Sequence, residues 1–128
     1  MNPRFKMILA VVFGASLGAA AVQGLHAQAK PKAYTVALNE VIDPAATAAY
    51  GQLVQAEIKA AGGRIFNTAG GKVVAIIGTA PPNRVAINEW DNLDQAVAFY
   101  KSKAYTDLAP QRDKAQKVIQ LFAVEAVR

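Results

Sequence analysis

Few side chains in this sequence are suited to catalysis. The 128 residues include no cysteine and a single histidine, which excludes cysteine nucleophiles and thiolate-bound metals. The polar groups left for chemistry are carboxylates, guanidinium groups, phenols and hydroxyls. Six of them are the candidate site residues of this sequence: Tyr50, Arg64, Glu89, Ser102, Tyr105 and Arg112.

Glu89 is the candidate general base. It precedes Trp90, and burial beside that indole would raise the pKa of the carboxyl group toward a value useful for proton transfer. The alternative is a structural salt bridge to an arginine. Arg64 and Arg112 are suited to holding a ligand carboxylate between paired N–H groups, and their alternative is an ion pair with Glu89 or Asp113.

The remaining candidates also have structural alternatives. The phenol of Tyr50 either donates a hydrogen bond to a ligand or packs in the core with its hydroxyl on water or backbone. Ser102 has no histidine to activate it as a nucleophile, so a cap or turn hydrogen bond is its alternative role. Asn39 and Asn88 are either ligand contacts or edge hydrogen-bonding groups. No carboxylates have metal-ligand spacing, and we expect neither a metal nor a cofactor.

The first 29 residues have the pattern of an export signal. Arg4 and Lys6 precede residues 7–22, which contain no charge, and small residues follow. A positive start, a short apolar run and an A-x-A exit are typical of a secretory signal peptide. Because a bilayer-spanning helix needs about 20 apolar residues, a permanent anchor is the less favoured alternative.

Cleavage of this signal after Ala27 or Ala29 would also remove His26. The mature chain would then lack histidine as well as cysteine, which excludes Ser-His-Asp and Cys-His catalysis and histidine-ligated haem. We therefore predict a signal peptide over residues 1–29 and a single domain over residues 30–128, located in the periplasm or secreted. No membrane contact is expected after cleavage.

The charge distribution does not favour a nucleic-acid partner. The formal net charge is +5, but two of the basic residues, Arg4 and Lys6, lie in the predicted signal peptide. Those that remain are scattered along the chain, whereas nucleic-acid binding needs a basic stripe, with aromatic residues interleaved for single strands. A solvated surface accounts for these charges.

Periodicity and turn residues predict an α+β domain. Alternating and apolar runs favour strands, while apolar residues at three- and four-residue steps favour helices. The first helix is predicted to begin at Asp43-Pro44 and the second after Asp91 or Asn92. Strands are predicted at residues 34–42, 64–68, 72–79, 84–90 and 118–127, with irregular helical turns over 102–115. Residues 72–79 and 84–90 are expected to form an antiparallel pair, in a mostly antiparallel sheet with a split βαβ arrangement.

The predicted strands are apolar on both faces. In residues 118–127, Ile119, Leu121 and Ala123 alternate with the equally apolar Phe122 and Val124. Two helices can cover only one face of the sheet, and soluble monomers rarely leave a large apolar face in water. We therefore predict a two-fold homodimer that covers the second face. The alternative is that residues 102–116 fold over it.

With this pattern assembled, a set of short motifs resembles the domain-of-unknown-function 1330 family. They extend over residues 34–127, and their order and spacing carry the resemblance. In chain order they are Asp43-Pro44, Tyr50, Gly62-Gly63-Arg64, Pro81-Pro82-Asn83-Arg84, Asn88-Glu89-Trp90, Ser102-Lys103-Ala104-Tyr105 and Arg112. Ser102 and Tyr105 match the S-x-x-Y motif of that family. Trp90 stands where the family often has phenylalanine, and the signal segment is an addition to the family's usual short form.

The resemblance implies a ferredoxin-like fold of the dimeric α/β-barrel type, with a pocket between sheet and helices near the six candidate residues. The architecture is similar to that of cofactor-free monooxygenases, decarboxylases and isomerases. The leading hypothesis from the sequence is an exported, non-catalytic dimeric domain that binds a small apolar or anionic ligand. The alternative hypothesis is a cofactor-independent enzyme with Glu89 as the base and Arg64 or Arg112 as the anion-holding group. A domain that serves only as a protein partner is the third.

Overall fold

The fold is built on one four-stranded antiparallel sheet. Its strands are β1 (Ala33–Val41), β2 (Arg64–Ile65), β3 (Arg84–Trp90) and β4 (Gln116–Glu125), in the order β2-β3-β1-β4. The helices α1 (Pro44–Ala60), α2 (Leu93–Lys101), α3 (Lys103–Thr106) and α4 (Ala109–Ala115) complete the described part of the chain. This arrangement confirms the predicted ferredoxin-like α+β class.

The computed structural model describes residues 30–67 and 69–128. The predicted signal peptide at residues 1–29 lies outside these ranges. Within them, no helix is long and apolar enough to cross a membrane.

Local capping signals fix the starts of the two long helices. The Asp43 carboxylate accepts a hydrogen bond from the Ala46 N–H at 3.1 Å, and a proline occupies the first turn of α1. Of the two caps that the sequence allowed for α2, the structure uses Asn92, whose Oδ1 accepts from the Gln95 N–H at 2.8 Å. These bonds satisfy N–H groups that have no partner inside a helix.

The short helices α3 and α4 lie on the helix side of the sheet. The Thr47 hydroxyl in α1 donates to the Ala115 carbonyl at the end of α4 at 2.9 Å, and the Ile42 N–H donates to the same carbonyl. Residues 102–116 are therefore tied to α1. The alternative in which this segment covers the other face of the sheet is wrong.

The predicted strand at residues 72–79 is also wrong. The structure has no strand there, and Ile76 and Ile77 are 93% and 94% exposed. The strands that β3 pairs with are β1 and β2, one on each side of it. The expected antiparallel pair between residues 72–79 and β3 therefore does not form. We call residues 70–83 the β2–β3 arm.

The core centres on Trp90, which is fully buried. Its ring lies 5.1 Å from that of Phe99, and its Nε1 donates to the Thr35 hydroxyl at 3.1 Å. After α1, Gly63 approaches this ring so closely that an added Cβ would lie 2.9 Å from the indole. A glycine is needed at this position because no larger residue fits between strand and helix.

The sheet face away from the helices is apolar. The register pairs Val36 with Ile87 on one side and with Phe122 on the other, and all three point away from the helices. Phe66 extends this surface and is 65% exposed. We call this surface the open face, and among the described residues no helix covers it. The expected apolar groups on a second face are present in β4, where Phe122 and Val124 lie on the open face while Leu121 and Ala123 face the helices.

Candidate functional site

A cavity of about 70 Å³ lies between the sheet and helices α1, α2 and α3. It exists because small residues meet there. Ala37 of β1 is paired with Ala86 of β3, and Gly51 of α1 also lines the space. Since a water molecule needs about 10–15 Å³ of such volume, the cavity holds on the order of five waters or a ligand of similar size.

Three polar side chains cross the sheet at one end of this cavity. Arg84 on β3 pairs directly with Asn39 on β1, and Gln116 on β4 pairs with Val41, two residues further along β1. Directly paired side chains on one face stand about 4.5–5.5 Å apart at Cβ, and diagonal ones remain within reach. We call Arg84, Asn39 and Gln116 the polar row.

Two members of the polar row have unsatisfied acceptors. Asn39 is 2% exposed and Gln116 is 7% exposed, yet Asn39 Oδ1 and Gln116 Oε1 have no hydrogen-bond partner. Leaving a buried acceptor unpaired costs about 1–3 kcal/mol. Both residues line the cavity, so the cavity is the place where a donor for these oxygens would have to lie.

Arg84 supplies positive charge without a partner. Within residues 30–67 and 69–128 its guanidinium forms no ion pair or hydrogen bond. Burial lowers the pKa of its guanidinium, although an arginine remains charged in any case. A Cβ built on Gly51 would lie 3.7 Å from Arg84 Nη2, so the guanidinium lies directly beneath α1.

Tyrosines form the opposite wall of the cavity. The rings of Tyr100 and Tyr105 meet edge to face at 4.8 Å, and Tyr50 is buried beside them. Burial raises the pKa of both Tyr50 and Tyr100. These phenols therefore stay protonated and serve as hydrogen-bond donors.

Glu89 and Arg64 lie on the open face, so their expected place in the cavity is wrong. Arg64 Nε lies 2.7 Å from Glu89 Oε1, Lys32 Nζ lies 3.2 Å from the same oxygen, and the Tyr34 hydroxyl donates to Glu89 Oε2 at 3.0 Å. These three donors, Arg64 first, hold the pKa of Glu89 below its ordinary value. The expectation that burial beside Trp90 raises this pKa is therefore wrong.

The physical reason is the alternation of a strand. Trp90 points into the core, so its neighbour Glu89 must point to the other face. A carboxylate with a lowered pKa and three donors is a poor base at neutral pH. The salt bridge that the sequence left open as the alternative is what the structure contains, and the enzyme mechanism built on Glu89 loses its base.

Ser102 and Arg112 lie at the margins of the site. Ser102 Oγ donates to the Phe99 carbonyl at 2.6 Å and accepts from the Tyr105 N–H at 3.4 Å, which is the capping role. Arg112 Nε lies 3.2 Å from Asp113 Oδ1, and its Nη1 is 3.4 Å from the Tyr105 hydroxyl. Neither residue lines the cavity.

Of the six candidates, the cavity is lined by Tyr50 and Tyr105. It is also lined by Asn39 and Asn88, which the sequence left unassigned. Sequence reasoning missed Arg84 and Gln116. The signal that could have found them is a charged or amide side chain that shares a strand face with buried residues. Arg84, for example, lies on the same face of β3 as the buried Trp90. In the part of the chain that is described, no group of histidine, cysteine or carboxylate side chains is arranged to hold a metal.

Comparisons with known proteins agree with this architecture. The sequence pattern of the family described as "Domain of unknown function (DUF1330)" matches residues 32–127. A protein of unknown function from Rhodopseudomonas palustris has a similar structure, with a TM-score of 0.60 at 17% identity over 85% of this chain and 92% of its own. The methylated form of that protein gives a TM-score of 0.59, also at 17% identity, over 85% of this chain and 90% of its own.

A dimeric protein of unknown function with a ferredoxin-like fold, from Bacteroides fragilis, has a TM-score of 0.48 at 12% identity over 73% of this chain and 93% of its own. Comparison with curated proteins gives no match. At 17% identity, the likeness to the Rhodopseudomonas palustris protein is one of fold alone.

Proposed function

The chain belongs to the DUF1330 family, and we propose that it is a homodimeric domain that binds a small anionic ligand without catalysing a reaction on it. The observation that carries the proposal is Arg84, a partly buried guanidinium that lines a cavity and has no carboxylate partner among the described residues. Partly buried charges are ordinarily paired. A ligand anion would supply the missing partner, through the paired N–H groups that suit arginine to carboxylates.

Thermal shift measurements with short carboxylates test the binding function. Acetate and propanoate are expected to raise the melting temperature of the wild-type protein, because a ligand that binds only the folded state stabilises it by mass action. Arg84→Met removes the charge but keeps the length of the side chain, and should abolish the shift. The matched control is Arg128→Met, which removes one charge at the exposed C-terminus and should leave the shift intact. A shift that survives Arg84→Met would contradict the proposal.

The open face supports a homodimer. Phe66, Phe122 and Val124 are exposed on it, and full burial of such a side chain contributes about 1.5–3 kcal/mol. A two-fold axis brings the same apolar surface of a second copy onto it, so no other molecule is needed. The β2–β3 arm adds Ile76 and Ile77 to the exposed apolar groups of the chain.

Sedimentation velocity tests the dimer. Phe122→Asp places a charge on the open face beside Val36 and is expected to yield monomers at concentrations at which the wild-type protein is dimeric. Leu53→Asp makes the same change on the exposed side of α1 and should leave the dimer intact. A wild-type protein that sediments as a monomer at high concentration would remove the proposed interface.

Export is the remaining part of the proposal. It rests on the N-terminal sequence pattern of residues 1–29. Expression of the full chain, followed by fractionation and N-terminal sequencing, is expected to give exported protein that begins at Gln28 or Lys30. Protein that retains Met1 in the membrane fraction would favour the anchor instead.

A further inference from the structure

The proposed function requires only that the ligand is a small anion. The polar row also contains hydrogen-bond acceptors that an anion alone does not satisfy. Arg84 offers donors at one end, while Asn39 Oδ1 and Gln116 Oε1 offer two acceptors without partners. A simple carboxylate is itself only an acceptor when ionised. It would satisfy Arg84 and leave both amide oxygens unpaired.

A ligand that satisfies Arg84 and one of these amide oxygens must therefore combine a carboxylate with a hydrogen-bond donor a few atoms away. Arg84, Asn39 and Gln116 stand on three neighbouring strands, β3, β1 and β4, so one molecule of short length can reach all three. The cavity of about 70 Å³ has space for about five or six non-hydrogen atoms, in place of the waters that it would otherwise hold.

The donor is better supplied by a hydroxyl than by an ammonium group. No described residue that lines the cavity is an aspartate or a glutamate, and the only charged group there is Arg84. With an ammonium group on the ligand, the one carboxylate would face two positive charges, its own ammonium and Arg84, and the net positive charge left is unfavourable in a partly buried site. A neutral hydroxyl can donate to one amide oxygen and accept from a phenol such as Tyr50.

We infer that the cavity is specific for short hydroxycarboxylates, with Arg84 holding the carboxylate and the amide oxygen of either Asn39 or Gln116 accepting the one hydrogen bond that the hydroxyl can donate. This inference rests on the proposed binding function and narrows it to one chemical class. The residue that accepts from the hydroxyl is then specificity-determining. Its oxygen disfavours ligands without a donor, because binding such a ligand would leave this oxygen both buried and unpaired.

Four probes of nearly equal size separate the contributions of the carboxylate and of the neighbouring hydroxyl to binding. Lactate carries both groups, propanoate lacks the hydroxyl, propane-1,2-diol lacks the carboxylate, and alanine replaces the hydroxyl with an ammonium group. Isothermal titration of the mature protein is expected to give a Kd for lactate at least about tenfold below that for propanoate. Propane-1,2-diol and alanine should bind more weakly than lactate by a larger factor.

Variants assign the effect to residues. Gln116→Met and Asn39→Leu keep the side-chain size and remove an acceptor, so one of the two should bring the Kd of lactate toward that of propanoate while the Kd of propanoate stays unchanged. Arg84→Met should weaken both ligands equally. Gln120→Met is the matched control, since Gln120 lies on the same strand but faces the other side of the sheet, and it should change neither Kd. A lactate preference that persists in both acceptor variants would overturn the inference.

The outcomes separate the inference from the function on which it rests. Equal, Arg84-dependent binding of lactate and propanoate would overturn the hydroxycarboxylate specificity and leave the anion site in place. Absence of binding by every carboxylate would overturn both. Preference for alanine over lactate would also overturn the inference, because it would show that the site tolerates a second positive charge.

Discussion

The contact between Gly63 and Trp90 provides a quantitative test of the core. A Cβ at position 63 would lie 2.7 Å from Ile58 Cγ2, and 2.9 Å and 3.0 Å from two atoms of the Trp90 ring. Because Trp90 is fully buried, the ring has little room to move. Gly63→Ala is therefore expected to destabilise the fold by about 1–3 kcal/mol, the usual cost of overpacking.

Trp90→Phe perturbs the same contact from the other side. It removes the hydrogen bond to Thr35, worth about 1 kcal/mol, and a ring volume of roughly 40 Å³, worth about 1 kcal/mol as a cavity. The lost apolar burial adds roughly 1 kcal/mol, so the variant should lose about 2–4 kcal/mol. Thr35 keeps a partner, since its hydroxyl also lies 3.2 Å from that of Tyr100.

The double variant distinguishes this geometry from a general weakening. Phenylalanine lacks the two indole atoms that the new Cβ would meet, so Gly63→Ala should cost less in the Trp90→Phe background than in the wild-type protein. We expect the two losses to fall short of additivity by about 1 kcal/mol. The assay is urea unfolding at one fixed protein concentration, because association changes apparent stability.

The control for this cycle is Gly71→Ala, whose added Cβ would meet nothing within 4 Å. Its effect should be the same with tryptophan or phenylalanine at position 90. Strict additivity of Gly63→Ala and Trp90→Phe, within about 0.5 kcal/mol, would refute the close packing of position 63 against the ring.

Three further changes test the ion pair, the helix cap and the arm. Because the pKa of Glu89 is lowered in the folded state, its carboxylate stabilises the fold above its ordinary pKa and loses that effect as the pH falls through the folded value. Thermal melts between about pH 3 and pH 7 should therefore show wild type and Glu89→Gln converging at the acid end. Asn92→Ala should cost about 1 kcal/mol in urea unfolding, whereas Asn83→Ala in the exposed arm should cost nothing measurable. Ile77→Asp should leave the monomer stability unchanged and weaken self-association in sedimentation equilibrium, unlike Leu53→Asp.

Much of the fold is encoded in short stretches of sequence. The Asp43-Pro44 pair specifies the start of α1 through a side-chain cap and a fixed proline φ, and both effects act within one helical turn. The strand at residues 84–90 is equally local, since its alternation is visible without knowledge of any partner. Elements that depend on their own residues were predictable for that reason.

The β2–β3 arm shows that local sequence does not always predict secondary structure. Residues 72–79 have the composition of a strand, but β-propensity describes how well a residue fits a paired and partly buried surface. Whether such a surface is available depends on the order of the other strands. With β1 and β2 on either side of β3, the segment does not take the place beside β3 that its composition predicts, and composition cannot reveal this.

The residues discussed for the site also differ in whether the local sequence determines their position. That Glu89 and Trp90 point in opposite directions follows from strand alternation alone, so the position of Glu89 away from the core is encoded in the sequence. The polar row is different, because it requires Arg84, Asn39 and Gln116 to reach the same end of one sheet face. The register that brings them there shifts between Leu38 and Asn39, and a shift of one residue exchanges the two faces of a strand. The irregularity in β1 and β4 therefore helps to place Gln116 on the cavity side, and no local pattern in the sequence encodes it.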